Sequence, residues 1–482
     1  MTLKNHFKKG LVWTFIDNVF LRGFTFIILL GLARLLSPKD FGLIGIISIF
    51  IVIGTAIIEG GMGNSIIRDN TSNKTDYTSV FYGNLILSFI IYPILYITAP
   101  YIAIYFNEIQ LVNLIRVYSI SFILSAFFSI QQSVLIKEMK FKKITLFNLP
   151  GVILGSFIGL ILAYLGYGVW SLVWMHLSTQ AINAIIYWIN SDWIPEFKIC
   201  FKKLKKHFLF GYKLMISSLL SLTMKEVYPF IIGKFFSINI LGYYSQAKAL
   251  RGYPVNLISS TISRVTYPLL SKIQNDSKKV SQVYRSILKN LFFTICPIMF
   301  YLMIIAKPLF IVLFTEKWLP AVPYFQILVI SGMLIPIHSF NINVFKIYNR
   351  TDLFLKLAIV KLFMVTISVF LGIKFGIYGL LTTMVMTSFL ALLVNTYYSG
   401  KLINYNTLSQ LKDMSPIFLI GIVSSAFCYF LLIELKELHN ILIIIIIGIL
   451  FGITYLILSY FLNKKSFLEV KYLILSLINK KG

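Results

Sequence analysis

The chain has 482 residues, of which 58% are hydrophobic and 13% charged, with a mean hydropathy of +0.84. A soluble domain carries about 45–50% apolar and about 25% charged residues. Surface-to-volume geometry leaves a water-soluble fold nowhere to put this much apolar area, so the composition excludes one and calls for lipid as solvent. The net charge of +27 does not gather into the basic face of a nucleic-acid binder, because Lys and Arg punctuate apolar runs, as they do in the cytoplasmic loops of membrane proteins.

Taken from the N-terminus, Lys4, Lys8 and Lys9 lead into an apolar stretch with no small-residue cleavage site. It is too long for a signal-peptide core and is expected to stay as a first helix. Windows of about 20 apolar residues, enough to span a bilayer as helix, follow near 11–33, 41–63, 79–100, 111–135, 144–166, 168–190, 209–232, 240–263, 288–306, 322–343, 354–373, 376–399, 414–434 and 440–462. The expectation is an all-α membrane protein of about fourteen transmembrane helices. With the N-terminus inside, segments facing the cytoplasm collect about thirty Lys and Arg and outward segments about eight, an asymmetry that sets orientation. Both termini are therefore expected in the cytoplasm.

The longest loop is expected around 264–287, too short for a soluble catalytic domain, and no GxxxxGK[ST] phosphate loop occurs in the chain. Cys200, Cys296 and Cys428 lie far apart and have neither metal-ligand nor disulfide-framework spacing. No carboxylate pair or nucleophile–base arrangement stands out, so no enzyme and no cofactor are expected.

An internal repeat is visible. Leu3-Lys4-Asn5-His6-Phe7-Lys8-Lys9-Gly10 matches Leu204-Lys205-Lys206-His207-Phe208-Leu209-Phe210-Gly211, and Arg34 to Gly42 runs parallel to Lys234 to Gly242. Six spans separate the copies, so the halves share an orientation, as in transporters built from parallel repeats. The repeat implies two six-helix lobes, 1–197 and 198–405, and a last helix pair with a basic tail over 406–482.

Ionisable side chains within a span cost about 2.5–3.5 kcal/mol each on insertion scales and tend to face a cavity. On the first helix Thr14, Asn18, Arg22 and Thr25 share a face, with Asp17 adjoining; on the seventh, Lys213, Ser217, Ser221 and Lys225 repeat at i+4, with Glu226 beside the last. The eighth helix adds Lys248 and Arg251 before Pro254, which is expected to kink it, and the eleventh adds Lys361. Arg22, Lys213, Lys225, Lys248, Arg251 and Lys361 against Asp17 and Glu226 make a cationic lumen that attracts anions. The arginines are suited to bidentate contact with phosphate.

Plainer explanations compete. Lys213 and Lys361 lie close enough to a membrane face to snorkel. Asp17 and Arg22 could form a structural ion pair, and Lys248 and Arg251 an outer funnel. His176 and His338 read as satisfied core histidines, Glu59 as equally an interfacial or a functional group, and Trp170, Trp188, Trp193 and Trp318 as interfacial anchors.

Several segments resemble the polysaccharide-export flippases, colanic-acid-exporter-like, of the multidrug/oligosaccharidyl-lipid/polysaccharide superfamily. They are Ala33-Arg34-Leu35-Leu36-Ser37-Pro38-Lys39-Asp40-Phe41-Gly42-Leu43, Leu165-Gly166-Tyr167-Gly168-Val169-Trp170-Ser171-Leu172, Leu241-Gly242-Tyr243-Tyr244-Ser245-Gln246-Ala247, Tyr253-Pro254-Val255-Asn256-Leu257-Ile258 and Lys317-Trp318-Leu319-Pro320-Ala321. The similarity spans about residues 1–400. It implies a two-lobe, fourteen-helix fold in a bacterial inner membrane. The implied cargo is an undecaprenyl-pyrophosphate-linked oligosaccharide repeat unit, turned from the inner to the outer leaflet for surface polysaccharide synthesis.

Relatives of this family use arginine and aspartate on the first helix, which makes Asp17 and Arg22 candidates by location. Asp17 and Glu226 are the carboxylates expected to couple transport to an ion, proton or sodium, whose identity the sequence does not specify. Membrane lipids, a glycan polymerase and glycosyltransferases are the further partners expected, and nucleic acid is not one. The competing reading is an ion-coupled small-molecule or drug antiporter of the same fold, against which the excess of Lys and Arg counts.

Overall fold

A computed structural model describes residues 21–348, 350–464 and 467–469. Among the described residues the chain is helical throughout, without strands, and eleven helices are long and apolar enough to cross a membrane. This is a multi-pass, all-α membrane protein. In chain order the helices are α1 (Arg22–Leu35), α2 (Pro38–Glu59), α3 (Met62–Arg68), α4 (Lys74–Phe106), α5 (Leu111–Tyr118), α6 (Ser121–Lys137), α7 (Phe141–Tyr164), α8 (Trp170–Ile189) and α9 (Phe201–Phe235). Then come α10 (Ile238–Lys272), α11 (Ser277–Ile304), α12 (Ala306–Phe314), a 3-10 turn (Glu316–Ala321), α13 (Val322–Gly332), α14 (Ile335–Ile347), α15 (Thr351–Ile373), α16 (Gly376–Ile403), α17 (Thr407–Glu434) and α18 (Asn440–Leu462). The apolar windows 41–63 through 440–462 all fall on helix. The first begins on residues outside those described and continues into α1.

Two details differ from the hydropathy reading. The loop expected around 264–287 is almost all helix, since α10 runs on to Lys272 and α11 starts at Ser277. Hydropathy falls where charges begin, but a helix satisfies its own backbone and continues into water. Helix α10 continues as helix through Pro254. Of the tryptophans expected at the interface, Trp318 is fully buried and Trp193 is 7% exposed. Trp318 packs edge-on to Tyr243 with ring centroids 6.0 Å apart, so it faces protein rather than lipid. Position near the end of a span fixes depth but not which way a ring points.

Helix ends follow local chemistry. Ser37 and Asp40 form a reciprocal capping box ahead of α2, Pro38 takes the first turn, and Gly60 (φ 53°) ends the helix in the left-handed region. Asn73 and Asp76 repeat the box ahead of α4.

By contacts the chain divides into two compact units, residues 1–242 and 243–482. In the first, α7 and α8 form a hairpin in which Gly151, Gly155 and Gly159 lie against Asn183, Thr179 and Met175. A methyl group at any of the three would strike α8, the close approach that small residues permit between membrane helices. Helix α9 packs on α2, α3 and α4. Gly211 there lies against the Gly60-Gly61 turn, where a methyl group would come within 2.8 Å of the Gly61 carbonyl carbon and 2.9 Å of Met62 N. Gly42 faces the Ile238 carbonyl, and Gly242 reciprocally faces that of Pro38.

A polar knot ties the start of α9 to α3 and to the start of α4. Asp76 accepts from Lys203 Nζ at 2.8 Å and lies 3.1 Å from His207 Nε2, and His207 Nδ1 is 2.8 Å from Ser65 Oγ. Outside the spans, the side-chain hydrogen bond from Lys206 at 2.5 Å, followed by those from Thr71, holds the Asp69 carboxyl well below the usual range.

In the second unit α11 packs against α13, α14 and the C-terminal pair α17 and α18. Asp413 of α17 is buried, with Arg285 Nε at 2.5 Å, Arg285 Nη2 at 2.8 Å, Lys289 Nζ at 3.0 Å and Tyr405 Oη at 2.5 Å. Removing this carboxylate strands Lys289, which is mostly buried, whereas Arg285 can turn to water. Asp413→Ala is therefore expected to cost about 3 kcal/mol, the low end for breaking a buried pair. Asp413→Asn, which still accepts from Tyr405, should cost less. The thermal midpoints of the purified variants in detergent check the order.

Candidate functional site

The i+4 stripe on α9 does not point into lipid along most of its length. Ser217, Ser221 and Lys225 line a cavity of about 580 Å³ within the first unit. Helix α2 brings Thr55 and Glu59 to it, α3 brings Asn64, α6 brings Ser121 and Ser125, and α8 brings His176 and Gln180. The close backbone approach at Gly61 and Gly211 sets how near α9 lies to the end of α2, and hence how near Lys225 and Glu59 come to one chamber.

The chamber's walls mix uncharged hydroxyls and amides with apolar side chains such as Ile51, Val52, Leu214, Met215 and Leu222. Ser221 Oγ donates back to the Ser217 carbonyl at 3.0 Å, keeping its lone pairs outward. The His176 ring stacks flat on Tyr118, with centroids 4.7 Å apart, and its buried Nε2 has no hydrogen-bond partner. That departs from the expectation of a satisfied core histidine. His338, in the second unit, does meet it: Asn395 Nδ2 is 3.0 Å from Nδ1 and Ser388 Oγ 3.1 Å from Nε2. Lys225 and Glu59 are exposed, and Lys225 makes no ion pair among the described residues. The chamber thus holds one lysine and one carboxylate, Glu59, among hydroxyls and amides, so Lys225 can meet an anionic group and the neutral polar side chains a polyhydroxylated one.

The remaining predicted residues divide by location. Asp17 lies outside the described residues; Arg22 begins α1, but its side chain also lies outside them. Lys213 is exposed on α9 and is not among the residues lining the chamber, and Glu226 is half-buried. In the second unit Lys248 is half-buried with Nζ 6.0 Å from the Tyr244 ring centre, and Lys361 is half-buried on α15.

Arg251 is 7% exposed. Its Nη1 donates to Ser331 Oγ at 3.1 Å, its stem lies 3.1 Å from where a side chain at Gly332 would begin, and its Nε has no partner. No carboxylate pairs with Arg251 among the described residues.

Sequence reasoning did not single out Asn64, Gln180, Ser121 and Ser125. Their only signal was polarity inside apolar windows, which is common and does not say which neighbour a side chain meets.

Residues 31–323, more than half of the chain, match the family described as polysaccharide biosynthesis protein. The chain belongs to this family. Among curated relatives it is 24% identical over 334 residues to the succinoglycan biosynthesis transport protein ExoT of Rhizobium meliloti, covering 69% of this chain and 67% of that one. It is 21% identical over 374 residues to the lipopolysaccharide biosynthesis protein WzxC of Escherichia coli, covering 77% and 76%. Among solved structures, the lipid II flippase MurJ in an inward closed conformation superposes with a TM-score of 0.69 at 16% identity, covering 94% of this chain and 98% of that one. An inward-facing multidrug resistance transporter of the MATE family, in the MOP superfamily, gives 0.62 at 18% identity, covering 82% and 98%. The fold of this polysaccharide biosynthesis protein is thus the one shared by those transporters.

Proposed function

We propose that this chain is a flippase. It turns undecaprenyl-pyrophosphate-linked oligosaccharide repeat units from the inner to the outer leaflet of a bacterial cytoplasmic membrane, by alternating access, for surface polysaccharide synthesis. The observation that carries the reading is the first unit's chamber, where Lys225 stands among serine, threonine, asparagine and glutamine side chains in a member of a polysaccharide biosynthesis family. A pyrophosphate calls for fixed positive charge, and sugars call for groups that both donate and accept hydrogen bonds. Names given to relatives, a succinoglycan transport protein and a lipopolysaccharide biosynthesis protein, and a fold like that of a lipid II flippase, support the same class of cargo.

Arg22, Lys213, Lys248, Arg251 and Lys361 complete the proposed set of cations along the route. Glu59 joins Asp17 and Glu226 as a carboxylate able to carry a coupling proton or sodium ion. Two six-helix lobes from the internal repeat, both termini in the cytoplasm, and a glycan polymerase with glycosyltransferases as neighbours complete the proposal. The reciprocal packing of Gly42 and Gly242, at matching positions of the repeat, supports the duplication.

Deleting the gene while glycan synthesis continues is expected to leave polyprenyl-linked oligosaccharide accumulating on the cytoplasmic side, with surface glycan lost. Labelling of the lipid-linked pool in sealed inside-out vesicles measures it. No accumulation during active synthesis overturns the reading. Normal surface glycan together with new sensitivity to cationic dyes favours the antiporter of the same fold.

A further inference from the structure

In the second unit, the turn between α16 and α17 frames a cavity of about 570 Å³. Ligand pockets run from about 300 to 1,000 Å³. Tyr397, Lys401, Asn404, Asn406, Thr407 and Ser409 stand in its wall. The turn itself is tightly fixed. Asn404 takes the left-handed conformation at φ 52°, and Tyr405 N donates to the Gly400 carbonyl at 3.1 Å. A methyl group at Gly400 would lie 2.5 Å from the Tyr405 carbonyl oxygen, so the two strands of the turn touch backbone to backbone. Tyr405 is anchored in turn on the buried Asp413.

None of the residues lining the cavity is acidic, and Lys401 is cationic. Lys401 is exposed, with Nζ 4.4 Å from the Tyr397 ring centre, and no carboxylate pairs with it among the described residues. Hydrogen-bond donors stand beside it. Asn406 uses its Oδ1 to accept from Ser409 N at 2.8 Å, which leaves its Nδ2 to donate elsewhere. Asn406 is exposed and Ser409 half-buried, and the Ser409 hydroxyl adds a second donor. Asn404 Nδ2 donates to Ser277 Oγ at 3.2 Å, tying the start of α11, where Lys278 and Lys279 are exposed, to the same turn.

The face of α16 leading up to the cavity decides the class of ligand. Met386, Leu390, Leu393 and Tyr397 are 64%, 51%, 42% and 50% exposed. Steps of four, three and four residues put them on one stripe of the helix, and Lys401 follows four residues on. Apolar side chains exposed along a membrane span face acyl chains. A stripe of them that ends at an unpaired lysine and a polar hollow has the layout of a phospholipid, with chains first, then a phosphodiester, then a polar headgroup.

We propose that this cavity binds the headgroup of an anionic phospholipid of the phosphatidylglycerol class, with its acyl chains along α16. Lys401 meets the phosphodiester as a charge-assisted donor, and Asn406 and Ser409 meet the remaining oxygens. Choline and ethanolamine headgroups add a cation, for which the wall offers no carboxylate. Basic pockets at the ends of membrane helices take anionic headgroups for the same reason. The inference rests on the membrane fold and not on the transport reading, so either can fail without the other.

The test is titration of the purified full-length chain in detergent with dioleoyl-phosphatidylglycerol or dioleoyl-phosphatidylcholine, following the thermal midpoint. The phosphatidylglycerol is expected to raise the midpoint saturably, with an apparent Kd at least tenfold below that of the phosphatidylcholine. Lys401→Gln should weaken it about tenfold, equivalent to about 1.4 kcal/mol, and Lys401→Arg should retain it. Both changes are at an exposed position and leave the fold alone. Lys436→Gln, at an exposed lysine in the turn after α17, should titrate as wild type.

Equal response to the two lipids, or wild-type titration by Lys401→Gln, overturns the proposal. So does an equal loss in Lys436→Gln, which would mean that overall charge and not this cavity attracts the lipid. Glycerol 3-phosphate, a soluble headgroup without chains, is expected to bind at least a hundredfold more weakly. Binding as tight as the lipid's would make the cavity a phosphate site and overturn the assignment to lipid.

Discussion

Replacing Gly211 with valine is expected to remove most of the folded protein. A methyl group at 211 already lies 2.8 Å from the Gly61 carbonyl carbon and 2.9 Å from Met62 N, and meets the Gly60 carbonyl oxygen. The obstacles are backbone atoms, which cannot rotate away as the end of a side chain can. The opposing turn is held by Gly60 and Gly61 at φ values of 53° and 67°, a region other residues enter at a cost. Ordinary overpacking costs about 1–3 kcal/mol, and a backbone-to-backbone clash belongs at or above the top of that range. The monodisperse fraction in size-exclusion chromatography should fall severalfold for Gly211→Val, with Gly211→Ala intermediate. Wild-type behaviour of the valine variant would mean that α9 does not approach the end of α2 this closely. The nearby knot of Asp76, Lys203 and His207 would then hold the helix alone.

Lys225→Ala should leave the fold intact and slow glycan export by about tenfold to a hundredfold. The folding half follows from exposure. Lys225 is open to the chamber and pairs with no carboxylate among the described residues, so its removal leaves no buried charge behind. Surface-like substitutions of this kind stay within about 0.5 kcal/mol. The transport half follows from chemistry. A hydrogen bond to a charged group is worth about 1.5–3 kcal/mol, and each 1.36 kcal/mol is a factor of ten in rate. Lys225→Arg keeps the charge and should retain most of the export. The measurement is the rate of appearance of surface glycan in a complemented deletion strain, normalised to the amount of protein in the membrane. Wild-type export by Lys225→Ala at normal abundance would take the chamber off the cargo's path.

Much of the architecture is legible in the chain itself, because the forces that make a membrane helix act along one dimension. Hydrocarbon offers no partner to a backbone amide, so an apolar run of sufficient length must be helical wherever it lies in the fold. The windows from 41–63 to 440–462 therefore fall on helices. The start and stop of α2 are equally local, set by Ser37, Pro38, Asp40 and Gly60. The polar face of α9 follows from its i+4 spacing, which fixes that Ser217, Ser221 and Lys225 look the same way.

What they look at was settled only in three dimensions. Glu59, which sequence position leaves open as interfacial or functional, reaches the same chamber as Lys225, and His176 lines it with an unpaired nitrogen instead of lying satisfied in the core. Trp318 turns inward although it sits near a span end. Each outcome depends on how closely two helices distant in sequence approach and at what rotation. Those quantities are set by glycine contacts such as Gly61 against Gly211, and hydropathy, a property summed residue by residue along the chain, carries no information about pairs.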